Sequence, residues 1–466
     1  MKKTKIICTL GPASDTKEKI LSLAKAGMDA ARINMSHTDR KGLLRMIRTI
    51  DKANKELLFP IPIILDTKGH DLRMGRLEQP IEVSNGERFE LRYNSHSNTD
   101  YKGAAMNTNI FRVLRKGMKI FIDDGSIELE VERPHGSWAL CRVMTSGTIK
   151  SKKSISVPGL KMDLSGITKQ EYKDIEFAIK QGIGIFTLSF IRHASEVRKV
   201  RALADKMRAY VFLIAKIEDQ IGLQNLDEIL EVSDGIMVAR GDLGSQTPIE
   251  EVPLVQKMII DKCREKGKPV IVATQMMESM VENPVPTRAE VSDVSTAVMQ
   301  KTDLVMLSAE TSVGKYPVRC VEAMSKICNR MERDEKFILP MRADEKRSIR
   351  EEITVAASML SRNLNADAII VFTRSGRLAR LTSKNRPTTP IFAFAKHERI
   401  QHFLQLSRGV NSYVAKITER SRDNINNAID ELKSDGFVSK GDTVIIISDV
   451  FKGHKESQII EVKKVL

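Results

Sequence analysis

Two short apolar runs that lie close together, VFLIAKIE (Val211–Glu218) and DGIMVAR (Asp234–Arg240), decide the fold of this chain. Each run is rich in aliphatic residues and ends in charged side chains, a pattern that predicts a buried strand with a polar end. Six further runs of this kind are TKIICTL (Thr4–Leu10), DAARINMS (Asp29–Ser36), PIIL (Pro62–Leu65), GIFTLSF (Gly184–Phe190), PVIVATQ (Pro269–Gln275) and DLVMLSAE (Asp303–Glu310). The sequence therefore predicts a set of eight strands.

Helical patterns separate most of these strands. DTKEKILSLAKAG (Asp15–Gly27) and EEVPLVQKMIIDKCREKG (Glu250–Gly267) are examples in which apolar residues recur with the helical spacing. Alternation of strand and helix predicts a parallel sheet, and eight such units predict a closed (β/α)₈ TIM barrel of the α/β class.

The segment between Lys68 and Gly184 interrupts the alternation and is far too long for one connection. It contains short strand patterns, and hairpin-like turns are predicted at Asn85-Gly86, Asp124-Gly125 and Ser146-Gly147. We expect a small β-barrel domain inserted after the third strand, at the rim of the TIM barrel, where it would act as a lid.

The alternation restarts after Asp334 with a helix (Arg347–Asn363) and a strand (Asp367–Thr373), and it ends in a strand at Gly441–Ser448. This pattern predicts a separate C-terminal α/β domain with a regulatory role. The predicted division is 1–67 and 164–335 for the barrel domain, 68–163 for the inserted lid and 336–466 for the C-terminal domain.

The composition limits the classes of substrate and partner that this chain is expected to bind. The chain has 466 residues and a net charge of +15, which favours anionic partners, but aromatic residues are only 5% and offer few stacking platforms for nucleic acid. We therefore expect small anionic substrates and no nucleic acid. The five cysteines form no C-x-x-C pair, and no secretory or membrane-spanning apolar run is present. These features predict a cytoplasmic protein without membrane contact.

Polar side chains follow the predicted strands where each strand ends. In a TIM barrel these ends meet on one face, where the active site lies. The residues expected to converge there are Thr9, Arg32, Asn34, Ser36, Asp66, Thr67, Lys68, Ser189, Lys216, Glu218, Arg240, Asp242, Thr274 and Glu310. Any one of them has the simpler interpretation of a solvated strand end, but so many chemically capable groups on one rim favour a site.

Lys216, Glu218 and Asp242 are the strongest candidates on this rim. Lys216 and Glu218 are two residues apart on one predicted strand and share a face, and Asp242 follows the next strand, behind Gly241. Two carboxylates from neighbouring strands suit Mg²⁺, which commonly completes its shell with water and substrate. A purely structural Lys–Glu–Asp cluster is the alternative interpretation of the spacing.

Oxygen-bearing side chains of a second group follow strands two and three. Asn34, Ser36, Asp66 and Thr67 carry one formal charge between them, which suits a large monovalent cation better than a transition metal. Hydrogen-bonded strand ends are the alternative for this group, and a structural role is the alternative for His37.

The loop TRSGR follows the first strand of the C-terminal domain and precedes a helix. Thr373, Ser375, Gly376 and Arg377 could therefore hold a phosphate through backbone N–H groups. An ordinary Ser/Gly connector is the alternative.

These residues carry a resemblance to the pyruvate kinase family. The matching blocks, in order, are KTKIICTLGPAS, ARINMSH, ILDTKG, LSFIR, AKIEDQIGLQNLDEI, GIMVARGDLG, PVIVATQMMESM, NPVPTRAEVSDV and MLSAETSVGKYP. The resemblance spans Lys3 to about Ala323 and continues more loosely to Leu466. It implies transfer of a phosphoryl group from phosphoenolpyruvate to ADP, giving ATP and pyruvate, the last step of glycolysis.

The resemblance also implies roles for individual residues. Glu218 and Asp242 would bind Mg²⁺ (or Mn²⁺), Lys216 would stabilise the transferring phosphoryl group and the enolate, and Arg32 would hold the phosphate. The residues implied for the other functions are Gly241, Asp242 and Thr274 for the carboxylate, Asn34, Ser36, Asp66 and Thr67 for K⁺, and Asn34, His37, Arg73 and Lys153 for the nucleotide. Thr274 would also relay a proton to the enolate. A homotetramer with allosteric regulation is expected from the resemblance alone.

The chain departs from the family pattern at several positions. KGHDLR (Lys68–Arg73) has His70 and Asp71 where the family usually has Pro and Glu, and Asp71 keeps a carboxylate where K⁺-independent members tend to carry Lys. We therefore expect K⁺ dependence. In the C-terminal loop Leu378 replaces a hydroxyl residue of family members that bind a sugar phosphate, and the facing loop (Asp449–Gln458) is altered. A phosphorylated effector remains compatible with this loop, whereas activation by a sugar bisphosphate does not follow.

Two other functions compete with this hypothesis. A lyase or aldolase that works through a metal-bound enolate would release pyruvate without ADP, but the matched nucleotide positions count against it. A non-catalytic regulator would keep the fold and bind RNA through its positive charge. That function would be favoured by substitutions at Lys216, Glu218 or Asp242, and all three residues are intact.

Overall fold

The structure is a computed structural model that describes residues 1–69, 72–93, 99–123, 125–158, 160, 167–333, 348–415, 421–452 and 455–466. The side chains of 245, 246, 421, 449–452 and 455–457 are outside the description. His70, Asp71, Asp124 and Arg347, named above, therefore lie outside the described residues, as do the side chains of much of the loop 449–458.

The barrel domain begins with β1 (Lys5–Thr9), α1 (Lys17–Ala26), β2 (Ala30–Asn34), α2 (Arg40–Asn54) and β3 (Ile63–Asp66). Both helices start where a side chain caps them. The Asp39 carboxylate, for example, accepts the backbone N–H of Gly42 at 2.7 Å, which satisfies one of the free donors at the start of α2. The strands are buried along most of their length, as their apolar sequences predict.

The insertion contains β4 (Ile81–Val83), β5 (Arg88–Arg92), β6 (Gly103–Ala105), β7 (Lys119–Ile122), β8 (Ile127–His135), β9 (Trp138–Val143), β10 (Gly147–Ile149) and β11 (Ile155–Ser156). They form a six-stranded sheet in the order β11-β7-β8-β9-β5-β6 and a two-stranded sheet β10-β4. The two sheets share one apolar core that includes Val83, Phe89, Leu129 and Ile149.

Only part of the turn prediction for the insertion is confirmed. The turn with Gly125, at φ 91°, joins the antiparallel pair β7 and β8. The turns at Asn85-Gly86 and Ser146-Gly147 are not hairpins, because each joins strands of different sheets. Turn residues set the local backbone direction, whereas the choice of partner strand depends on side chains distant in sequence.

The barrel resumes with α3 (Lys169–Lys180), β12 (Ile185–Leu188), α4 (Ala194–Lys206), β13 (Phe212–Ile217), α5 (Gln220–Gln224), α6 (Leu226–Val232), β14 (Gly235–Ala239), α7 (Arg240–Gln246), α8 (Val252–Glu265), β15 (Val270–Ala273), α9 (Arg288–Met299), β16 (Leu304–Leu307), α10 (Ala309–Ser312) and α11 (Pro317–Arg333). Short 3₁₀ turns lie at Ile249–Glu251 and Glu278–Val281. Arg240, placed by the sequence at the end of a strand, instead begins α7, so Asp242 lies in the first turn of this helix.

The eight predicted strands close into a barrel in the order β1-β16-β15-β14-β13-β12-β3-β2. The described pairings between these strands are parallel, and in one of them Asn34 of β2 lies opposite Asp66 of β3. The predicted TIM barrel is therefore confirmed. Parallel closure brings the carboxyl ends of all eight strands to one rim.

The C-terminal α/β domain contains α12 (Ile349–Asn363), β17 (Ala368–Thr373), α13 (Arg377–Lys384), β18 (Ile391–Ala395), α14 (Glu398–Leu404), β19 (Val410–Val414), α15 (Ser421–Ser434), β20 (Thr443–Lys452) and β21 (Lys455–Lys464). Its sheet has the order β19-β18-β17-β20-β21, with β21 antiparallel. The domain boundaries predicted from the sequence stay a prediction, since 161–166 and 334–347 are outside the described residues.

The C-terminal domain packs against the end of the barrel opposite the rim. Asp303, just before β16, accepts two hydrogen bonds from Arg386 at 2.8 and 2.7 Å, and both side chains are buried. The ring of Phe403 lies 5.2 Å from that of Phe212 at the start of β13. The C-terminal domain therefore lies away from the rim at the carboxyl ends of the strands, and the inserted domain lies next to that rim.

The five cysteines are buried free thiols. In the part of the chain that the structure describes, no helix has the length and apolar character that a membrane crossing requires.

Candidate active site

Arg32 and Asp66 form the centre of the rim between β2 and β3. The Nε of Arg32 donates to Asp66 Oδ2 at 2.8 Å, and its Nη1 donates to the hydroxyl of Thr9 at 2.9 Å. Thr187 of β12 donates to the other carboxylate oxygen of Asp66 at 2.7 Å. Side chains from four strands therefore hold one another in place, and Arg32 is 8% exposed.

Lys216 lies between two buried carboxylates. Its ammonium group is 2.8 Å from Glu218 Oε1 and 3.5 Å from Asp66 Oδ1, and it donates to the hydroxyl of Ser189 at 2.9 Å. Burial lowers the pKa of Lys216, but the two carboxylates outweigh burial and raise the pKa above its ordinary value. The amine is therefore a fixed positive charge at neutral pH.

Asp66 shows the complementary balance. Burial raises the pKa of its carboxyl group, whereas the charges of Lys216 and Arg32 lower it, and the net pKa is below the ordinary value. Asp66 therefore stays ionised although it is almost fully buried.

Glu218 and Asp242 are the two carboxylates that the sequence assigns to a divalent ion. Glu218 follows β13, is 2% exposed and accepts the backbone N–H of Phe190 at 2.5 Å. Asp242 is half-buried in the first turn of α7, which follows the neighbouring strand β14. No cluster of three or more potential metal-ligating side chains occurs among the described residues. Two carboxylates that follow the neighbouring strands β13 and β14 fit Mg²⁺, which would take its remaining oxygens from substrate and water.

Gly241 and Thr274 meet at the ends of β14 and β15. The N–H of Gly241 donates to Thr274 Oγ1 at 2.8 Å, and the Thr274 hydroxyl donates to the carbonyl of Ala273 at 2.6 Å. Thr274 has φ 67° and the next residue, Gln275, has φ 52°, so two consecutive residues with side chains adopt the left-handed conformation.

The predicted K⁺ ligands lie at the ends of the neighbouring strands β2 and β3: Asn34 and Asp66 are the last strand residues, and Ser36 and Thr67 follow them. Asn34 Oδ1 accepts the N–H of Ser36 at 3.0 Å, and the carbonyl of Thr67 accepts the hydroxyl of Ser189 at 2.8 Å. Asp66, across from Asn34, already receives donors from Arg32 and Thr187. The four residues fit K⁺, because Asn34, Ser36 and Thr67 supply uncharged oxygens and Asp66 supplies one carboxylate.

The predicted nucleotide residues fall into two groups. Arg73 and Lys153 lie in the inserted domain, where Arg73 donates to the carbonyl of Lys152 at 2.9 Å and Lys153 donates to Asp123 at 2.8 Å. Asn34 and the exposed His37 lie in the barrel, where the N–H of His37 donates to the carbonyl of Asn34 at 3.2 Å. Each group is clustered within its own domain.

A cavity of about 640 Å³ separates the inserted domain from the rim beside Gly241. Phe121 and Pro158 line it on the side of the lid, and Arg240 and Gln275 line it on the side of the barrel. Its volume is typical of small-molecule sites.

The candidate effector loop lies on the C-terminal domain. The N–H of Gly376 donates to Thr373 Oγ1 at 3.0 Å, and Gly376 has φ 80°. Ser375 and Arg377 are exposed at the start of α13, whereas Leu378 is buried. The loop therefore presents the hydroxyl of Ser375 and the guanidinium groups of Arg374 and Arg377 to solvent.

Two contributors to the site were missed by the sequence analysis. Thr187 lies inside a buried strand, where a threonine normally signals only strand propensity. Asp293 lies on α9, far along the chain, and contacts Arg240 at 2.6 Å. The sequence contains no local signal for either contact.

Two family models and several known proteins that match this chain all belong to one family. A family model described as "Pyruvate kinase, barrel domain" matches residues 1–321, and one described as "Pyruvate kinase, alpha/beta domain" matches residues 351–462. The chain is 40% identical to a pyruvate kinase of Geobacillus stearothermophilus over 98% of this chain and 79% of that protein. It is 37% identical to a pyruvate kinase of Clostridium acetobutylicum over 97% of this chain and 96% of that protein.

A solved structure is also similar. The crystal structure of a pyruvate kinase from Cryptosporidium parvum superposes with a TM-score of 0.91 at 32% sequence identity. The match covers 99% of this chain and 96% of that one.

Proposed function

The chain belongs to the pyruvate kinase family and transfers the phosphoryl group of phosphoenolpyruvate to ADP, and from this premise we propose the part that each rim residue plays. The observation that carries the proposal is the placement of Lys216 between Glu218 and Asp66, the second of which also accepts a hydrogen bond from Arg32. A buried permanent charge at this point is aimed at the region where negative charge develops during phosphoryl transfer.

Substrate binding is assigned to two sides of the rim. Arg32 binds the phosphate, since its guanidinium is fixed by Asp66 and Thr9 and needs no reorganisation when the substrate arrives. The N–H groups of Gly241 and Asp242, with the hydroxyl of Thr274, bind the carboxylate at the start of α7.

Metal binding is assigned to Glu218 and Asp242. When bound there, Mg²⁺ (or Mn²⁺) supplies charge neutralisation between the phosphate and the developing enolate. The protein holds Glu218 ready for this role through the N–H of Phe190. The ammonium group of Lys216 also contacts Glu218 at 2.8 Å and helps to hold its carboxylate in place.

Proton transfer completes the reaction. The enolate formed after phosphoryl transfer takes a proton at carbon to become pyruvate, and Thr274 is the hydroxyl on the carboxylate side of the site that relays this proton from water. The strained turn at Thr274 and Gln275 supports this assignment, because strain of this kind concentrates at functional sites.

Nucleotide binding is assigned to Asn34 and His37 of the barrel and to Arg73 and Lys153 of the inserted domain. Closure of the inserted domain would bring the two basic residues toward the phosphates of ADP and exclude water, which competes as phosphoryl acceptor. The cavity between the two domains supports a site that both of them complete.

The function is tested by measuring pyruvate and ATP formation from phosphoenolpyruvate and ADP with Mg²⁺, in K⁺ and in Na⁺ at equal ionic strength. We expect no product without ADP or without Mg²⁺. We also expect at least roughly tenfold faster turnover in K⁺ than in Na⁺, because Asn34, Ser36, Asp66 and Thr67 would order the phosphate side of the site around the cation. Equal rates in K⁺ and Na⁺ would remove the monovalent site from the proposal and leave the reaction itself intact.

Regulation is assigned to the loop Thr373, Ser375, Gly376 and Arg377. The hydroxyl of Ser375 lies just before α13, and the guanidinium of Arg377 belongs to the first residue of this helix. An anion is favoured at this end of a helix. A sugar monophosphate should lower the half-saturating concentration of phosphoenolpyruvate by roughly threefold or more, a typical allosteric coupling, and Arg377→Ala should abolish this shift. An identical saturation curve with and without the ligand would exclude the loop as an effector site.

Assembly and location follow from the same family. We assign a homotetramer, supported by Leu254, which is 62% exposed and would be covered by a second copy. Sedimentation equilibrium of the full chain measures the state directly. A cytoplasmic location is supported by the glycolytic reaction and by five cysteines that are buried free thiols.

A further inference from the structure

The turn after β15 is strained and needs an external support. Thr274 and Gln275 both have positive φ, at 67° and 52°, and a β-branched residue such as threonine is rarely found in this conformation. Such residues are energetically unfavourable and persist only where the surrounding structure holds them. The turn is also where Thr274 Oγ1 accepts the N–H of Gly241 at 2.8 Å.

Arg240 supplies that support. Its Nη2 donates to the carbonyl of Thr274 at 2.7 Å, and its Nε donates to the carbonyl of Ala273 at 3.3 Å. Its Nη1 donates to Asp293 at 2.6 Å and to Gln256 at 3.4 Å. The side chain is buried, so these bonds form in a region of low dielectric constant, where they are strong.

The partners of Arg240 are themselves anchored on separate elements. Asp293 lies on α9 and Gln256 on α8, and Gln256 donates to Gln300 at 2.7 Å. The guanidinium therefore ties the strained turn to two helices of the barrel wall. Arg240 also directly precedes Gly241 in the sequence. It is therefore bonded covalently to one residue of the Gly241–Thr274 contact and hydrogen-bonded to the carbonyl of the other.

We propose that Arg240 is a positioning residue that holds the turn Ala273–Gln275 so that the Thr274 hydroxyl can exchange its partner when the substrate carboxylate binds. Before binding, the hydroxyl donates to the Ala273 carbonyl and accepts the N–H of Gly241. When the carboxylate takes this N–H, the hydroxyl turns and donates to the carboxylate. The carbonyl of Ala273 keeps a donor throughout, because Nε of Arg240 remains on it.

This inference rests on the proposed role of Gly241 and Thr274 in binding the carboxylate. It adds a residue that acts through its hydrogen bonds to the turn. Lysine cannot replace Arg240 here, since a single ammonium group cannot reach two carbonyls and a carboxylate in the planar geometry that the guanidinium provides.

The test is a comparison of kinetic constants in the full chain. Arg240→Lys should raise KM for phosphoenolpyruvate by roughly tenfold or more and leave KM for ADP within about twofold, because only the carboxylate side of the site is disturbed. The matched control is Arg201→Lys at the opposite end of the barrel, where Arg201 donates to the Val211 carbonyl at 2.6 Å and to Asp234 at 2.5 Å. This control should change thermal stability and neither KM.

A double variant separates positioning from a general structural role. If Arg240 acts through Thr274, the effects of the two substitutions should not add, because coupled residues are not additive. In an enzyme that already carries Thr274→Ala, Arg240→Lys should then lower kcat/KM for phosphoenolpyruvate by less than about threefold. Fully additive losses, or equal rises in both KM values, would overturn the proposal. If Thr274→Ala alone left KM for phosphoenolpyruvate unchanged in an active enzyme, the carboxylate assignment itself would be wrong.

Asp293→Asn provides the second variant if Arg240→Lys does not fold. It keeps the guanidinium and weakens only its charged acceptor, so KM for phosphoenolpyruvate should rise by roughly threefold to tenfold. An unchanged KM in this variant, together with unchanged thermal stability, would also overturn the proposal.

Discussion

Replacing Lys216 by methionine should lower kcat by at least roughly 10²-fold, because removing one preorganised electrostatic donor from an acyl- or phosphoryl-transfer site costs about that much. The ammonium group lies 2.8 Å from Glu218 and 3.5 Å from Asp66. Methionine has a similar length, so the change removes the charge more than the volume. The measurement is initial-rate kinetics at saturating phosphoenolpyruvate, ADP, Mg²⁺ and K⁺.

The control for this prediction is Lys5→Met. Lys5 is also fully buried and lies 3.3 Å from an aspartate, Asp29, but at the opposite end of the barrel. Loss of either lysine leaves buried carboxylates less compensated and should lower thermal stability. Only Lys216→Met should lower kcat. A loss below tenfold in a folded Lys216→Met variant would contradict the assignment of this charge to the transition state.

Replacing Glu218 by glutamine should weaken Mn²⁺ binding at least roughly tenfold and reduce activity at millimolar Mg²⁺ by roughly 10²-fold or more, since half of the protein's carboxylate ligands are lost. The amide keeps the size of the side chain and can still accept the N–H of Phe190. The measurement is titration of bound Mn²⁺ by electron paramagnetic resonance, with activity measured in parallel. Excess Mg²⁺ should restore part of the activity.

Glu310→Gln is the matched control for the metal prediction. Glu310 is a second buried glutamate on the rim, where it accepts the N–H of Ser308 at 2.7 Å and of Met277 at 3.2 Å. Burial raises the pKa of Glu310 above its ordinary value, in contrast to the lowered pKa of Asp66 beside Lys216. Its replacement should leave the affinity for Mn²⁺ unchanged. Equal losses in both variants would indicate a general disturbance of the rim instead of a lost ligand.

The candidate site itself divides into a part that local sequence predicts and a part that it does not. Lys216 and Glu218 were predicted to share a face because strand residues two apart always do, and both lie on the rim. The ion pair between Arg32 and Asp66 was not predicted, although both residues were. It depends on the register of β2 against β3, which is set by packing of the whole barrel.

The inserted domain shows the same division. Its β character was predicted from short alternating runs, but the turn at Asn85-Gly86 joins strands of two different sheets. Arg240 gives a third example, since the sequence placed it at the end of a strand, among the residues expected on the rim. It instead begins α7 and reaches Asp293 and the turn at Thr274.

The sequence by itself determined the eight strands, their order along the chain and the polar residues that end them, because burial of apolar runs and the periodicities of strand and helix are local properties. The tertiary structure decided which of those polar residues touch. It placed the charge of Lys216 between two carboxylates and put the guanidinium of Arg240 on a strained turn. Such contacts join residues far apart in sequence, and their geometry exists only once the barrel has closed.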